Sequence, residues 1–218
     1  MDIRLNSSNP VPHPDWSALT LIATNLLTIV VAVYQKWNLG TVMWIYWGQS
    51  VTIGIFNFIR MWTLKNFTTD GLKMNDQPVA PTAASKRSVS IFFMVHYGFF
   101  HFVYALFLAT TAKMSSDDVW LVLTCTAGFF ANHWFSYYYN KESDSKRKVN
   151  IGTLMFFPYA RIIPLHIAII AGVTFSKSAW ALVLFLSLKT VADLIMHAVE
   201  HRVFGRVDDP PPISPQTP

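Results

Sequence analysis

Leu21-Ile-Ala-Thr-Asn-Leu-Leu-Thr-Ile-Val-Val-Ala-Val33 decides the fold class of this chain. A membrane-crossing strand alternates apolar and polar side chains over about ten residues, whereas this run stays apolar along its length. It therefore reads as helix, inside a stretch, Trp16–Tyr34, that is close to the roughly 20 residues a spanning helix needs. Five further stretches share that character: Thr41–Trp62, Val89–Ala112, Asp118–Tyr139, Thr153–Phe175 and Ala179–Val203. Six such segments and their loops use nearly the whole chain. The expectation is an all-α polytopic bundle of six transmembrane helices, one domain over residues 1–207, followed by a disordered proline-rich tail, 208–218.

Composition points the same way. Of 218 residues, 52% are hydrophobic and 13% charged, against about a quarter charged in a soluble domain. The net charge of +5 would suit nucleic acid, but its placement follows topology instead. Twelve Lys and Arg residues fall on one side of a six-span chain: Arg4; Arg60, Lys65, Lys73, Lys86 and Arg87; Lys141, Lys146, Arg147 and Lys148; Arg202 and Arg206. The opposite loops hold three, Lys36, Lys113 and Lys177. By the positive-inside rule both termini are cytoplasmic, and no nucleic-acid partner is required. The start of the chain lacks the basic region and small-residue cleavage site of a signal peptide, so the first span is expected to be retained. Cys125 is the single cysteine, which excludes an intrachain disulfide and a thiolate metal cluster. The connection from Thr63 to Ser88 reads as a long flexible loop, and Asn140–Asn150 as a solvated turn. Trp and Tyr residues near the span ends fit interfacial belts.

The candidate site lies in the last span, Lys189-Thr-Val-Ala-Asp193-Leu-Ile-Met-His197-Ala-Val-Glu200-His201. With Asp193 at zero and 100° per residue, His197 lies near about +40°, His201 near about +80°, Glu200 near about −20° and Lys189 near about −40°. One roughly 120° face thus carries five ionisable groups, and it cannot face lipid at low cost. Six of the seven histidines fall within the expected spans. At 1.5 Å per residue, His96, His133 and His197 lie roughly 10 Å from the cytoplasmic ends, Asp193 at roughly 15 Å, and His101 and His166 near mid-membrane. That depth pattern implies a cytoplasm-facing polar cavity between the third and sixth spans.

Neutral imidazoles bind zinc, iron and copper, and two histidines at i and i+4 can clasp one ion from one side. His197 and His201 form that pair. Asp193 would be a third ligand or would orient an imidazole, and His96 or His166 would complete the set from another helix. His96 and His101 are about 140° apart around their helix, so only one of them can serve. A transition metal, zinc ahead of iron or copper, is the expected cofactor, with Glu200 moving protons. Against this stand plainer readings: a buried Lys189–Asp193 ion pair, a solvated His201, and His133 as a helix-contact hydrogen bonder. Arg161, in Pro158-Tyr-Ala-Arg161-Ile-Ile-Pro164-Leu-His166, is the other costly charge. It would either pair with Asp193 or Glu200 or read an anionic group, beside a kink at Pro164. Gln49, Asn57 and Arg60 read as interhelical hydrogen-bonding groups of the second span.

Met94-Val-His-Tyr-Gly98, Arg161-Ile-Ile-Pro164-Leu-His166 and Lys189 through His201 resemble an uncharacterised family of prokaryotic six-span membrane proteins, which implies an inner-membrane location and no known activity. The pair His197 and His201 is also similar to the H-x-x-x-H of the last helix in the intramembrane zinc hydrolases, the alkaline ceramidase and adiponectin receptor superfamily. Those proteins have seven spans and a serine-plus-histidine motif that this chain lacks, so the resemblance carries only the pair. The H-x-x-E-H spacing of His197–His201 matches inverzincin proteases as well, a coincidence of spacing on a different fold. The expected function is an intramembrane metal-dependent hydrolase acting on a lipid-like substrate. The alternatives are an accessory subunit of a larger membrane complex, a haem-binding protein, and a metal or proton transporter using the Lys–Asp–His ladder.

Overall fold

The computed structural model describes residues 16–112, 114–146, 148–163, 166–167 and 179–204. Helix α1 runs Trp16–Tyr34 and α2 runs Leu39–Thr63, entered through Asn38, whose side chain accepts from the Gly40 amide as an N-cap. Helix α3, Ala83–Thr111, is capped by Thr82, and α4 covers Ser116–Lys146. A short α5, Ile151–Phe156, passes into a 3-10 turn at Phe157–Arg161, and α6 runs Ala179–Phe204. The architecture is all-helical apart from four two-residue strands.

Two expectations about the connections change. Helix α4 continues through Lys146 instead of ending at Tyr139. The Thr63–Ser88 segment is folded rather than a loose loop. Its strands β2 (Lys73–Met74) and β3 (Gln77–Pro78) form a hairpin, and β1 (Phe67–Thr68) pairs in parallel with β4 (Val149–Asn150). Asn75 and Asp76 sit at φ 52° and 60°, the left-handed pair that a two-residue hairpin turn demands and that Asn and Asp tolerate. The helical break in the fifth segment begins at Pro158, where α5 gives way to the 3-10 turn. Pro164, the expected kink, lies outside the described residues, as does the tail 208–218.

Helix α2 is the centre of the bundle, packed on α3, α4 and α5, while α1 packs along α6. Small residues permit that approach. A Cβ added at Gly48 would overlap Thr126 of α4, and one at Gly54 would overlap the Tyr97 ring of α3, which is how small side chains bring helix backbones together in membrane bundles. Phe56 then wedges into the α4 aromatics, with ring centroids 5.2 Å from Phe130 and 5.9 Å from His133. Tyr46 meets Phe185 of α6 edge-on at 5.4 Å.

The core is mainly apolar, but polar groups are buried in it and large apolar side chains stand outside. Asn25, Thr41, Ser50, Thr52, Asn57, His101 and Asp193 are buried, whereas Leu27, Phe99, Phe102, Phe135 and Trp180 are more than half exposed. By length and composition, two helices among the described residues are apolar enough to cross a membrane, Ala83–Thr111 and Trp180–Ala198. Five long helices, and the short α5 with its 3-10 turn, overlap the six expected segments; the end of the fifth segment, 168–175, lies outside the described residues, and six crossings are a further step.

Candidate functional site

The charged face of α6 meets α1. Lys189 Nζ lies 2.6 Å from Asp193 Oδ2, one helical turn away, and donates to Asn25 Oδ1 of α1 at 3.1 Å. Asp193 is 8% exposed and Asn25 7%. A buried carboxylate is tolerable when paired and hydrogen-bonded, and i,i+4 spacing on one helix supplies the partner without any tertiary adjustment. Asn25 is the one amide in the apolar run that opened the sequence reading, and its packing against α6 gives it a purpose. His197 stands one turn beyond Asp193, half-buried. Helix α6 carries Glu200 and His201 in its last turns, and Arg161 closes the 3-10 turn; the side chains of these three lie outside the described residues.

His96 and His166 find tyrosine hydroxyl partners. His96 Nδ1 shares a 2.8 Å hydrogen bond with the Tyr159 hydroxyl of the 3-10 turn, between Phe92 and Phe100. His166 Nδ1 shares one of 3.1 Å with Tyr104 of α3. His133 stacks on Phe129 with centroids 4.4 Å apart. Asn57 Nδ2 donates to the Leu154 carbonyl at 2.9 Å, the interhelical bond expected of it. Among the described residues, no three His, Cys, Asp or Glu side chains gather where they could hold one ion. Asp193 is paired with Lys189, and His96 and His166 are each bonded to a tyrosine hydroxyl, so among the described residues these groups are not gathered around one point.

The sequence reading missed a second polar centre at the α2–α3 contact. His101 Nε2 lies 2.9 Å from Ser50 Oγ, and its Nδ1 lies 2.9 Å from the Tyr97 carbonyl. A carbonyl only accepts, so Nδ1 carries a proton, and in the neutral ring Nε2 accepts the Ser50 hydroxyl proton. The Tyr97 hydroxyl is shared between Ser50 Oγ at 2.8 Å and the Ser50 carbonyl at 3.0 Å. Trp47 adds a bond from its Nε1 to the His101 carbonyl at 2.8 Å. Ser50 is fully enclosed and His101 nearly so, so this network fastens two helices. His101 and Tyr97 are one turn apart on the same face, and that much is readable from spacing; Ser50 needed the helix pairing.

These features define an all-helical protein with buried ionic and histidine–hydroxyl groups between its helices. The chain belongs to DUF6498, a family of unknown function, whose model matches residues 7–209. No curated protein and no solved structure matches the chain.

Proposed function

We propose that this chain is a six-helix integral membrane protein of the prokaryotic inner membrane, with both termini cytoplasmic, that passes protons along the ladder Lys189–Asp193–His197. The buried Lys189–Asp193 pair held by Asn25 carries the reading. Ionisable groups inside a membrane bundle are costly and usually mark a pathway. A proton added to Asp193 Oδ2 neutralises the carboxylate and leaves the Lys189 ammonium on Asn25; passing that proton to an imidazole nitrogen of His197 restores the ion pair. His201, at the next i+4 position, continues the ladder towards the cytoplasmic end of α6.

Membrane integration is supported by the exposed aromatic and aliphatic faces of α3, α4 and α6 around buried polar groups. Of the polar residues of α2, Thr41, Ser50, Thr52 and Asn57 are buried within the bundle. The β1–β4 pairing joins the two most basic loops, which supports a common, cytoplasmic side for both. Reconstitution into liposomes containing a pH-sensitive dye tests the relay. Proton flux should appear with the intact chain and be lost in Asp193→Asn; equal flux from both ends the relay reading.

A metal-dependent hydrolase is the second reading, favoured by the position of His197 one turn beyond the carboxylate on the half-buried face. In that reading His197 and His201 hold a transition metal, zinc first, Glu200 moves the proton, and a membrane lipid is the substrate. The bound ion would bring the pKa of water to about 7. Near-stoichiometric metal in protein purified without chelators, lost in His197→Ala/His201→Ala, would establish it; metal-free protein leaves the relay or an accessory subunit.

A further inference from the structure

A cavity of about 460 Å³ lies where the β1–β2 turn, the start of α5, the 3-10 turn and α6 meet. That volume falls within the roughly 300–1,000 Å³ of small-molecule sites. Its wall is apolar, formed by Phe156, Phe157, Ile195 and Met196, and its rim carries Asp70, Asn150 and Thr153. Asn150 is committed to the rim itself: its Oδ1 accepts from the Thr153 amide at 3.1 Å, and its Nδ2 donates to the Asp70 carbonyl at 2.9 Å. Among the described residues, Asp70 is thus the one charged residue lining the cavity.

The two ends differ in kind. Asp70 and Asn150 belong to the basic loops, together with Lys73 and Lys148, and a six-helix bundle puts those loops in the head-group layer. Phe156 is 64% exposed and Ile195 52%, so the apolar wall continues onto the surface that such a bundle gives to lipid. An occupant must therefore be amphipathic, with an apolar chain at one end and a cationic hydrogen-bond donor at the other. From this geometry we infer that the cavity binds an aminophospholipid of the phosphatidylethanolamine type, one acyl chain along Phe156 and Ile195 and the ammonium on Asp70. The lysines of the same loops favour the phosphate. A glycerol head group offers Asp70 no cation, and a choline head group offers no N–H.

The inference rests on the six-helix reading for the side from which lipid enters, and the test separates the two. Full-length protein, delipidated in detergent, is given phosphatidylethanolamine, phosphatidylcholine or phosphatidylglycerol, and retained lipid is read by native mass spectrometry. One phosphatidylethanolamine should be held per chain. Asp70→Asn should weaken its retention roughly tenfold, the scale of one charge-assisted hydrogen bond, and leave phosphatidylglycerol unchanged. Ile195→Trp, which fills the apolar end, should reduce retention of every lipid. Should that variant fail to fold, Asp70→Asn, on an exposed turn, still decides the matter. Equal retention of the three lipids, or wild-type retention by Asp70→Asn, overturns the site. Extraction of the chain from membranes by alkaline carbonate would overturn the six-helix reading instead; a chain that stays in the membrane but holds no phosphatidylethanolamine overturns the lipid site alone.

Discussion

Lys189→Met and Asp193→Leu, separately and together, measure how much the ion pair at the α1–α6 contact stabilises the bundle. Removing one partner of a buried pair typically costs about 3–5 kcal/mol, because the other charge is left without compensation. The two sides are not equivalent here. Asp193 is 8% exposed and the Lys189 side chain 23%, and a long ammonium stem can reach towards the interface where a short carboxylate cannot. Lys189→Met should therefore fall within that range, and Asp193→Leu below it, at about 2–3 kcal/mol, since Lys189 keeps Asn25. The double variant removes both charges at once and should lie within about 1 kcal/mol of wild type, as apolar replacement of buried pairs often does. The resulting coupling, at least about 4 kcal/mol, exceeds the error of additivity for independent sites. Equilibrium unfolding in mixed detergent micelles reads all four proteins. Additive single costs, or two singles each below about 1 kcal/mol, would refute the buried-pair account and remove the starting point of the proton relay.

Gly54→Leu should destabilise by about 1–3 kcal/mol or more through overpacking against the Tyr97 ring, whereas Gly98→Ala, which meets nothing within 4 Å, should be neutral; thermal unfolding in detergent compares them. Tyr97→Phe keeps the ring stacked on His101 but strips its hydroxyl from Ser50, which should cost about 1–3 kcal/mol in the same assay. Single cysteines at positions 73 and 146, in a Cys125→Ala background, should resist an impermeant thiol reagent in intact cells and label after lysis. Labelling from outside would reverse the topology.

The ends of α1 and α6 are legible because apolar length is a local property, whereas α3 starts at Ala83, in a polar stretch ahead of the expected Val89. Trp16–Tyr34 is the predicted first segment residue for residue, and Ala179–Phe204 differs from its prediction by one. The hairpin was less legible. Asn75 and Asp76 are turn-forming residues at the tip of two strands too short to show a period of two, so the segment resembled loop. The overrun of α4 was missed because the polar run 140–146 was read as solvated turn, although charged residues also form helix when their spacing suits.

Sequence by itself determined that helices form, roughly where they begin and end, and that α6 carries its charges on one face; each follows from the 3.6-residue period and the cost of burying backbone polar groups. Tertiary structure decided the partners. Lys189 turns to Asn25, His96 to Tyr159, His166 to Tyr104 and His101 to Ser50. Depth along a helix axis fixes one coordinate of a side chain, whereas a hydrogen bond needs three. The other two depend on which helices are neighbours and how each is rotated. Those are set by the fit of Gly48 against Thr126 and Gly54 against Tyr97, contacts between residues too far apart in the chain for any local pattern to register.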